Sequence, residues 1–167
     1  GGSSGGSAAA VSANFATVCI GQEGFASIRR PSIWNGVAGM RPTAGLVSRH
    51  GVYAGWPMIN GSLGPMARSV TDLAKLLDCM VGYDAADPIT SHGVGKSPKS
   101  YANKLDKDAL KGKRVGIMRT PMGHRNEPGS DDFAKITNLF DQAVSELADA
   151  GAEIVDPIEI PGMNDLL

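Results

Sequence analysis

An α/β fold is predicted by three features of the chain. A strand-like run at residues 114–118 (RVGIM), a long helical stretch opened by Ser130-Asp131-Asp132 and a second strand-like run at 153–155 (EIV) follow one another, and strand, helix, strand implies a right-handed parallel crossover. Apolar residues recur at helical spacing twice, as Leu73, Leu76, Leu77, Met80 and Val81, and as Phe133, Ile136, Phe140, Val144 and Leu147. The composition, 42% hydrophobic and 20% charged over 167 residues, fits one globular domain that buries roughly two thirds of its unfolded surface. Collagen, disordered tails and disulfide-stapled miniproteins are excluded.

Residues 8–13 (AAAVSA) suit a closely packing helix of small side chains, and residues 16–20 (ATVCI) read as a short buried strand ended by Gly21. A turn at 22–26 leads to Ser27 and a short helix with Pro31 near its first turn, where a missing N–H costs little. Ser27 thus stands at a strand–loop–helix junction. Residues 36–64, punctuated by Pro42, Pro57 and glycines, read as irregular loops with an extended piece at 37–40. Ser69 caps the next helix, which Gly82 ends, and the polar stretch 83–113 reads as a surface connection. Gly151 closes the long helix before the last strand. Asp72, Asp78, Asp84 and Asp87 are read as cap and turn residues rather than a catalytic pair, and the alternating charges of 104–113 as a solvated face.

Sixteen Lys and Arg against seventeen Asp and Glu, with a pI near 6.3, give no electrostatic footprint for nucleic acid or an anionic membrane. Cys19 and Cys79 have no C-x-x-C spacing and read as buried thiols of a reduced compartment, which fits a cytoplasmic location. No apolar stretch approaches the roughly 18 residues of a membrane span. His50, His92 and His124 lie scattered without a second ligand at metal spacing, so zinc and a Ser-His-Asp arrangement lack support, and no phosphate loop follows a strand. The first sixty residues are rich in glycine and hold only Glu23 as an acid, a composition suited to active-site loops.

The chain opens on Gly1-Gly2-Ser3-Ser4-Gly5-Gly6-Ser7, which alone reads equally as a flexible linker. Its context decides otherwise. Gly21-Gln22-Glu23-Gly24-Phe25-Ala26-Ser27-Ile28-Arg29 places a second serine 24 positions after Ser3, and GMRPT, GLVSR and GPMARSVTD follow in order. This series resembles the amidase signature family. The resemblance covers essentially all 167 residues and is strongest over 1–82, while DALKGKRVGIMR, the long helix and GAEIVDPIEIPG are family-like but individually weak.

The resemblance implies a portion of the amidase signature fold, an α/β sandwich with helices around a twisted mixed β-sheet. It divides 1–167 into a catalytic signature region at 1–82, the surface connection at 83–113 and a strand–helix–strand unit at 114–167. The implied activity is hydrolysis of a small-molecule carboxylic amide, with no cofactor, no metal, no nucleic-acid partner and no membrane span; the oligomeric state stays open. Ser27 would be the nucleophile, Ser3, on a cis peptide after Gly2, its proton relay, and a neutral lysine the ultimate base. The N–H groups of Gly24, Phe25, Ala26 and Ser27 would form the oxyanion hole, supported by Ser4, Glu23 and Arg29. Read without the resemblance, Ser27 serves as a helix N-cap.

Three departures from the family pattern stand out. No lysine here matches the family lysine, which precedes the cis serine, so the chain is expected to carry two of three catalytic side chains and to be inactive alone. Phe25-Ala26 replaces the two glycines of most members, which narrows the acyl pocket or disturbs a glycine-only backbone, and Glu23 stands for the more usual Asp. The rival functions are the glutaminase component of a tRNA-dependent amidotransferase, its A subunit, and a non-catalytic pseudoenzyme or structural remnant.

Overall fold

Residues 1–52, 61–122 and 129–166 are described by the computed structural model and fall into two compact units, Gly1–Leu105 and Asp106–Leu167. The first unit runs α1 (Gly5–Ser12), β1 (Val18–Glu23), α2 (Arg29–Trp34), β2 (Ala38–Gly39), β3 (Ser62–Ala67) and α3 (Val70–Met80), then two 3-10 turns at Pro88–Gly93 and Ala102–Lys104. Its sheet is antiparallel in the order β1-β3-β2.

Gly21 does not end β1 but lies within it, paired with Gly64 of β3. The expected stop fails because both glycines serve close packing. A Cβ on Gly21 would come within 2.9 Å of Ile28 Cγ1, one on Gly64 within 3.0 Å of Ile28 Cδ1, and one on Gly39 of β2 within 3.2 Å of Ile28 Cγ2. The three strands thus form a trough for one side chain, Ile28, which is fully buried with Ala8 and Met66.

The strand β3 begins inside the stretch 36–64, expected to be irregular for its prolines and glycines, and runs on through Pro65 to Ala67. Pro65 is tolerated for a geometric reason. Its carbonyl accepts from Met40 N at 3.1 Å, so its ring nitrogen faces the β2 side, where the return bond to Met40 is missing and the pairing ends at Gly39, while the pairing with β1 is untouched. The extended piece expected at 37–40 is the two-residue β2. The remainder of the loop expectation, at 53–60, lies outside the described residues.

The helix α3 follows its sequence signals. Ser69 Oγ accepts from Asp72 N at 3.1 Å, Leu73, Ala74 and Leu77 are buried, and extended Val81 ends the helix one residue before Gly82. Cys79 is exposed and Cys19 half-buried, against the expectation of two buried thiols. Cys79 shares the outer helix face with Thr71 and Lys75, which precede it by eight and four residues.

Asp72 and Asp84 take the cap and turn roles expected of them, whereas Asp78 and Asp87 bind segments distant in the sequence. Asp87 pairs with Arg49 through Nη2–Oδ1 at 2.7 Å and Nε–Oδ2 at 2.8 Å, and these bonds hold its carboxyl down at about 2. Asp84 accepts from Ser48 Oγ at 2.6 Å, and Asp78 accepts from Ser100 Oγ at 2.7 Å and from Tyr101 N. These bonds tie the 43–50 loop and α3 to the polar stretch that follows them.

The second unit holds β4 (Arg114–Gly116), α4 (Asp131–Asp149), β5 (Glu153–Val155) and α5 (Met163–Leu166), with β4 and β5 parallel as expected. Ser130 Oγ caps α4 by accepting from Phe133 N at 3.2 Å. The expected inward stripe is corrected at one position: Ile136 is 63% exposed, and Thr137 takes its place among half-buried Phe133, Phe140, Val144 and Leu147. Steps of four and three along a helix hold one face, and Ile136 lies one residue off that line. Arg119 binds Asp141 at 2.8 Å and Asp156, and lies over the Phe140 ring. No helix among the described residues is long and apolar enough to cross a membrane.

The glycine trough makes a direct prediction. Gly64→Ala, whose Cβ would run into the Met40 carbonyl oxygen, is expected to lower stability by about 2–3 kcal/mol in urea unfolding. Gly82→Ala, with open space around its Cβ, is expected to change it by less than about 0.5 kcal/mol.

Candidate active site

The site grows from the end of β1. Glu23 is fully buried there, and its carboxylate gathers donors from the loop that follows: Oε2 takes Ile28 N at 2.8 Å and Arg29 N at 2.9 Å, while Oε1 takes Arg29 Nε at 2.6 Å. Arg29 Nη2 then donates to the Phe25 carbonyl at 2.7 Å, closing the segment 24–27 into a fixed turn. Burial pushes the Glu23 carboxyl up, but the N–H groups of Arg29 and Ile28 and the Arg29 guanidinium outweigh it and hold the group below its ordinary value.

This carboxylate also caps α2. Ile28 occupies the cap position and makes no side-chain cap bond, so the N-cap role open to Ser27 is not taken. The Ser27 hydroxyl has no hydrogen-bond partner among the described residues, and neither has the hydroxyl of Ser3. Nor do the N–H groups of Gly24, Phe25, Ala26 and Ser27 donate to any protein acceptor among them. Four consecutive free donors beside a free serine hydroxyl form a ready seat for a developing negative oxygen.

The opening segment reaches the same place through Ser4. Its N–H donates to the Ser27 carbonyl at 3.2 Å, and its buried hydroxyl donates to the Gln22 carbonyl at 3.2 Å and accepts from Gln22 N at 3.1 Å. Ser7 Oγ adds a bond to the Ile20 carbonyl at 3.1 Å, fixing α1 along β1. Ser3 and Ser27 then line one cavity of about 270 Å³ with Gln22, Gly24 and Phe25. The two hydroxyls share that cavity without a bond between them.

Two expectations are corrected at the backbone. The cis peptide among the described residues is Asp156–Pro157, and Gly2–Ser3 is trans. Gly1, Gly2 and Ser3 are all exposed, and a non-proline bond stays trans unless its surroundings over-determine the other isomer. Phe25 and Ala26 do not strain the loop, because the positive-φ non-glycine residue among the described ones is Asn14.

Sequence reasoning missed Gln22, read as a turn residue, which pairs with Ser4 from within β1 and lines the cavity. It also missed the trough beneath Ile28, whose trace in the sequence is glycine at 21, 39 and 64. His50 and His92 are exposed, and His124 lies outside the described residues. No group of three or more His, Cys, Asp or Glu among the described residues could hold a metal ion.

A serine hydroxyl beside unpaired backbone donors, in a fold of mixed helix and sheet, is the equipment of hydrolases that attack a carbonyl carbon. The chain belongs to the amidase family, whose model, Amidase, matches residues 1–167. Members of this family hydrolyse amides. The fold is similar to that of the native peptide amidase from Stenotrophomonas maltophilia, with a TM-score of 0.83 and 42% identity over 98% of this chain and 32% of that one. It is also similar to the A subunit of glutamyl-tRNA(Gln) amidotransferase from Thermotoga maritima, with a TM-score of 0.78 and 30% identity over 98% of this chain and 33% of that one. Among curated proteins, the A subunit of glutamyl-tRNA(Gln) amidotransferase from Thermoanaerobacter pseudethanolicus is 39% identical over 96% of this chain. The chain spans 30% of that relative's length.

Glu23→Gln is expected to destabilise the intact protein by about 1–3 kcal/mol at pH 7 in urea unfolding. Because the folded-state pKa lies below the ordinary value, the stabilisation is fully present above the ordinary carboxylate range and is lost as pH falls through the depressed value. The gap between wild type and variant therefore narrows below about pH 4.

Proposed function

We propose that the whole protein hydrolyses carboxylic amides through an acyl-Ser27 intermediate. The observation that carries the reading is the set of unbonded N–H groups at 24–27 beside an unbonded Ser27 hydroxyl in a cavity shared with Ser3. Ser27 Oγ attacks the amide carbon, and the carbonyl oxygen takes its charge among the N–H groups of Gly24, Phe25, Ala26 and Ser27, where each donor contributes up to about 3 kcal/mol. The Ser27 proton passes through Ser3 to a neutral lysine and returns to the nitrogen as the carbon–nitrogen bond breaks. Water, activated along the same route, then releases the acid and restores Ser27. The lysine is the family's, and no lysine of residues 1–167 matches its position, so these residues alone are expected to show no turnover. Ser4, Glu23 and Arg29 act by holding the loop and do not touch the reacting atoms. The missing bond between the two serines fits a relay that tightens when substrate binds.

A second reading is favoured by the curated relatives, which are named as the A subunit of glutamyl-tRNA(Gln) amidotransferase. In that case the same chemistry acts on the side-chain amide of glutamine, and the ammonia is used by partner subunits on a tRNA-bound substrate. A near-neutral charge balance is no bar to such an assembly, so the expectation of no nucleic-acid partner is not carried forward. Copurification of partner subunits with the intact protein distinguishes the two readings.

Fluorophosphonate labelling of the intact protein, mapped by mass spectrometry, tests the shared chemistry. Label is expected on Ser27, absent in Ser27→Ala and slowed about 10²- to 10⁴-fold in Ser3→Ala. A folded wild type that takes no label at Ser27 refutes it.

A further inference from the structure

We infer that the Phe25 ring is the wall of the cavity against which an apolar acyl group lies, so that the site favours amides of apolar acids over those of small or charged ones. The inference rests on the amide-hydrolase reading of Ser27. Most of the segment around Phe25 has a structural duty. Glu23 gathers the N–H groups of Ile28 and Arg29, Ile28 fills the glycine trough, Arg29 ties Glu23 to the Phe25 carbonyl, and the Ala26 carbonyl accepts from Arg30 N at 3.0 Å.

The Phe25 ring has none. Phe25 is 87% exposed, yet it lines the cavity of the two serines. Leaving a phenylalanine side chain in water forgoes the gain of burying it. The backbone beneath it is pinned, so the ring is held out of the core at the rim of the cavity that Phe25 lines. The backbone does not call for phenylalanine, since φ is not positive there and a smaller residue would serve the turn equally.

The placement follows from what the other groups take. The N–H groups of 24–27 receive the carbonyl oxygen, and Ser3 returns the proton to the nitrogen. The acyl group is the remaining substituent of the reacting carbon, and the ring is the large apolar surface left to meet it. Among the described residues, Ser3, Gln22, Gly24, Phe25 and Ser27 line the cavity, and none of these five is ionised near neutral pH to pair with a charged acyl group.

The test compares two fluorophosphonates that differ only in the group on phosphorus, methyl or phenethyl, on the intact protein, with the label mapped to Ser27. The phenethyl-to-methyl ratio of labelling rates is expected to exceed one in wild type, to fall about tenfold in Phe25→Ala and to lie between in Phe25→Leu. A ratio that neither substitution changes overturns the inference while leaving the labelled Ser27 in support of the hydrolase reading. No label at Ser27 from either reagent overturns that reading, and this inference with it.

Discussion

The buried carboxylate of Glu23 is the constraint on which the site depends. A charge enclosed at the end of a strand is stable only when hydrogen bonds replace its water, and here the replacements are the N–H groups of Ile28 and Arg29 and the Arg29 guanidinium. Meeting that demand fixes three things at once. The loop 24–27 must turn back on itself, α2 must begin at its end, and the cap of α2 comes from Glu23 rather than from the serine beside it. Ser27 is freed because another residue takes the role it would otherwise fill.

Ile28 supplies the apolar half of the same fixation. The carboxylate sets where the backbone of Ile28 lies, and Gly21, Gly64 and Gly39 open the sheet so that its side chain can sink to full burial. A full-sized residue at any of the three would lift Ile28, and with it the adjoining serine. The glycines of the first unit let helix and strands approach, and the loop's precision comes from that approach. Ser4 uses the same closeness, reaching both β1 and the Ser27 carbonyl from the turn before α1. The two serine segments are thus joined by backbone bonds, independently of any contact between the hydroxyls.

Much of this was legible in the sequence where local signals and tertiary demands agree. Ser69 and Ser130 cap the helices they precede, Asp84 holds a turn by accepting from Ala86 N, and 114–116 and 153–155 pair in parallel, because each signal needs only neighbours close in sequence or a simple crossover. The two serines and the Glu23-to-Arg29 segment were legible as a spaced motif. Illegible were the features set by partners far along the chain. Gly21 and Pro65 look like strand breakers until the opposite strand and the short β2 are known, and Ile136 looks inward until the line through Thr137 is followed. Gln22 carries no local signal, since its role comes from Ser4, 18 residues earlier.

The free donors at 24–27 explain why so much structure surrounds so short a loop. Backbone N–H groups normally find acceptors, and four in a row without one survive only where water reaches them or a ligand replaces it. Left to itself, such a segment would close on its own carbonyls as a helical turn and lose the seat. A helical turn would direct these N–H groups to the carbonyls of residues 20–23, but those residues lie in β1, where the Ile20 and Gln22 carbonyls accept from Ser7 Oγ and Ser4 Oγ. Arg29 acts twice, neutralising Glu23 and holding the Phe25 carbonyl so that the turn is fixed. A lysine there would keep the charge but not the fork that reaches both the Glu23 carboxylate and the Phe25 carbonyl, which makes arginine a geometric requirement of the loop rather than a source of positive potential.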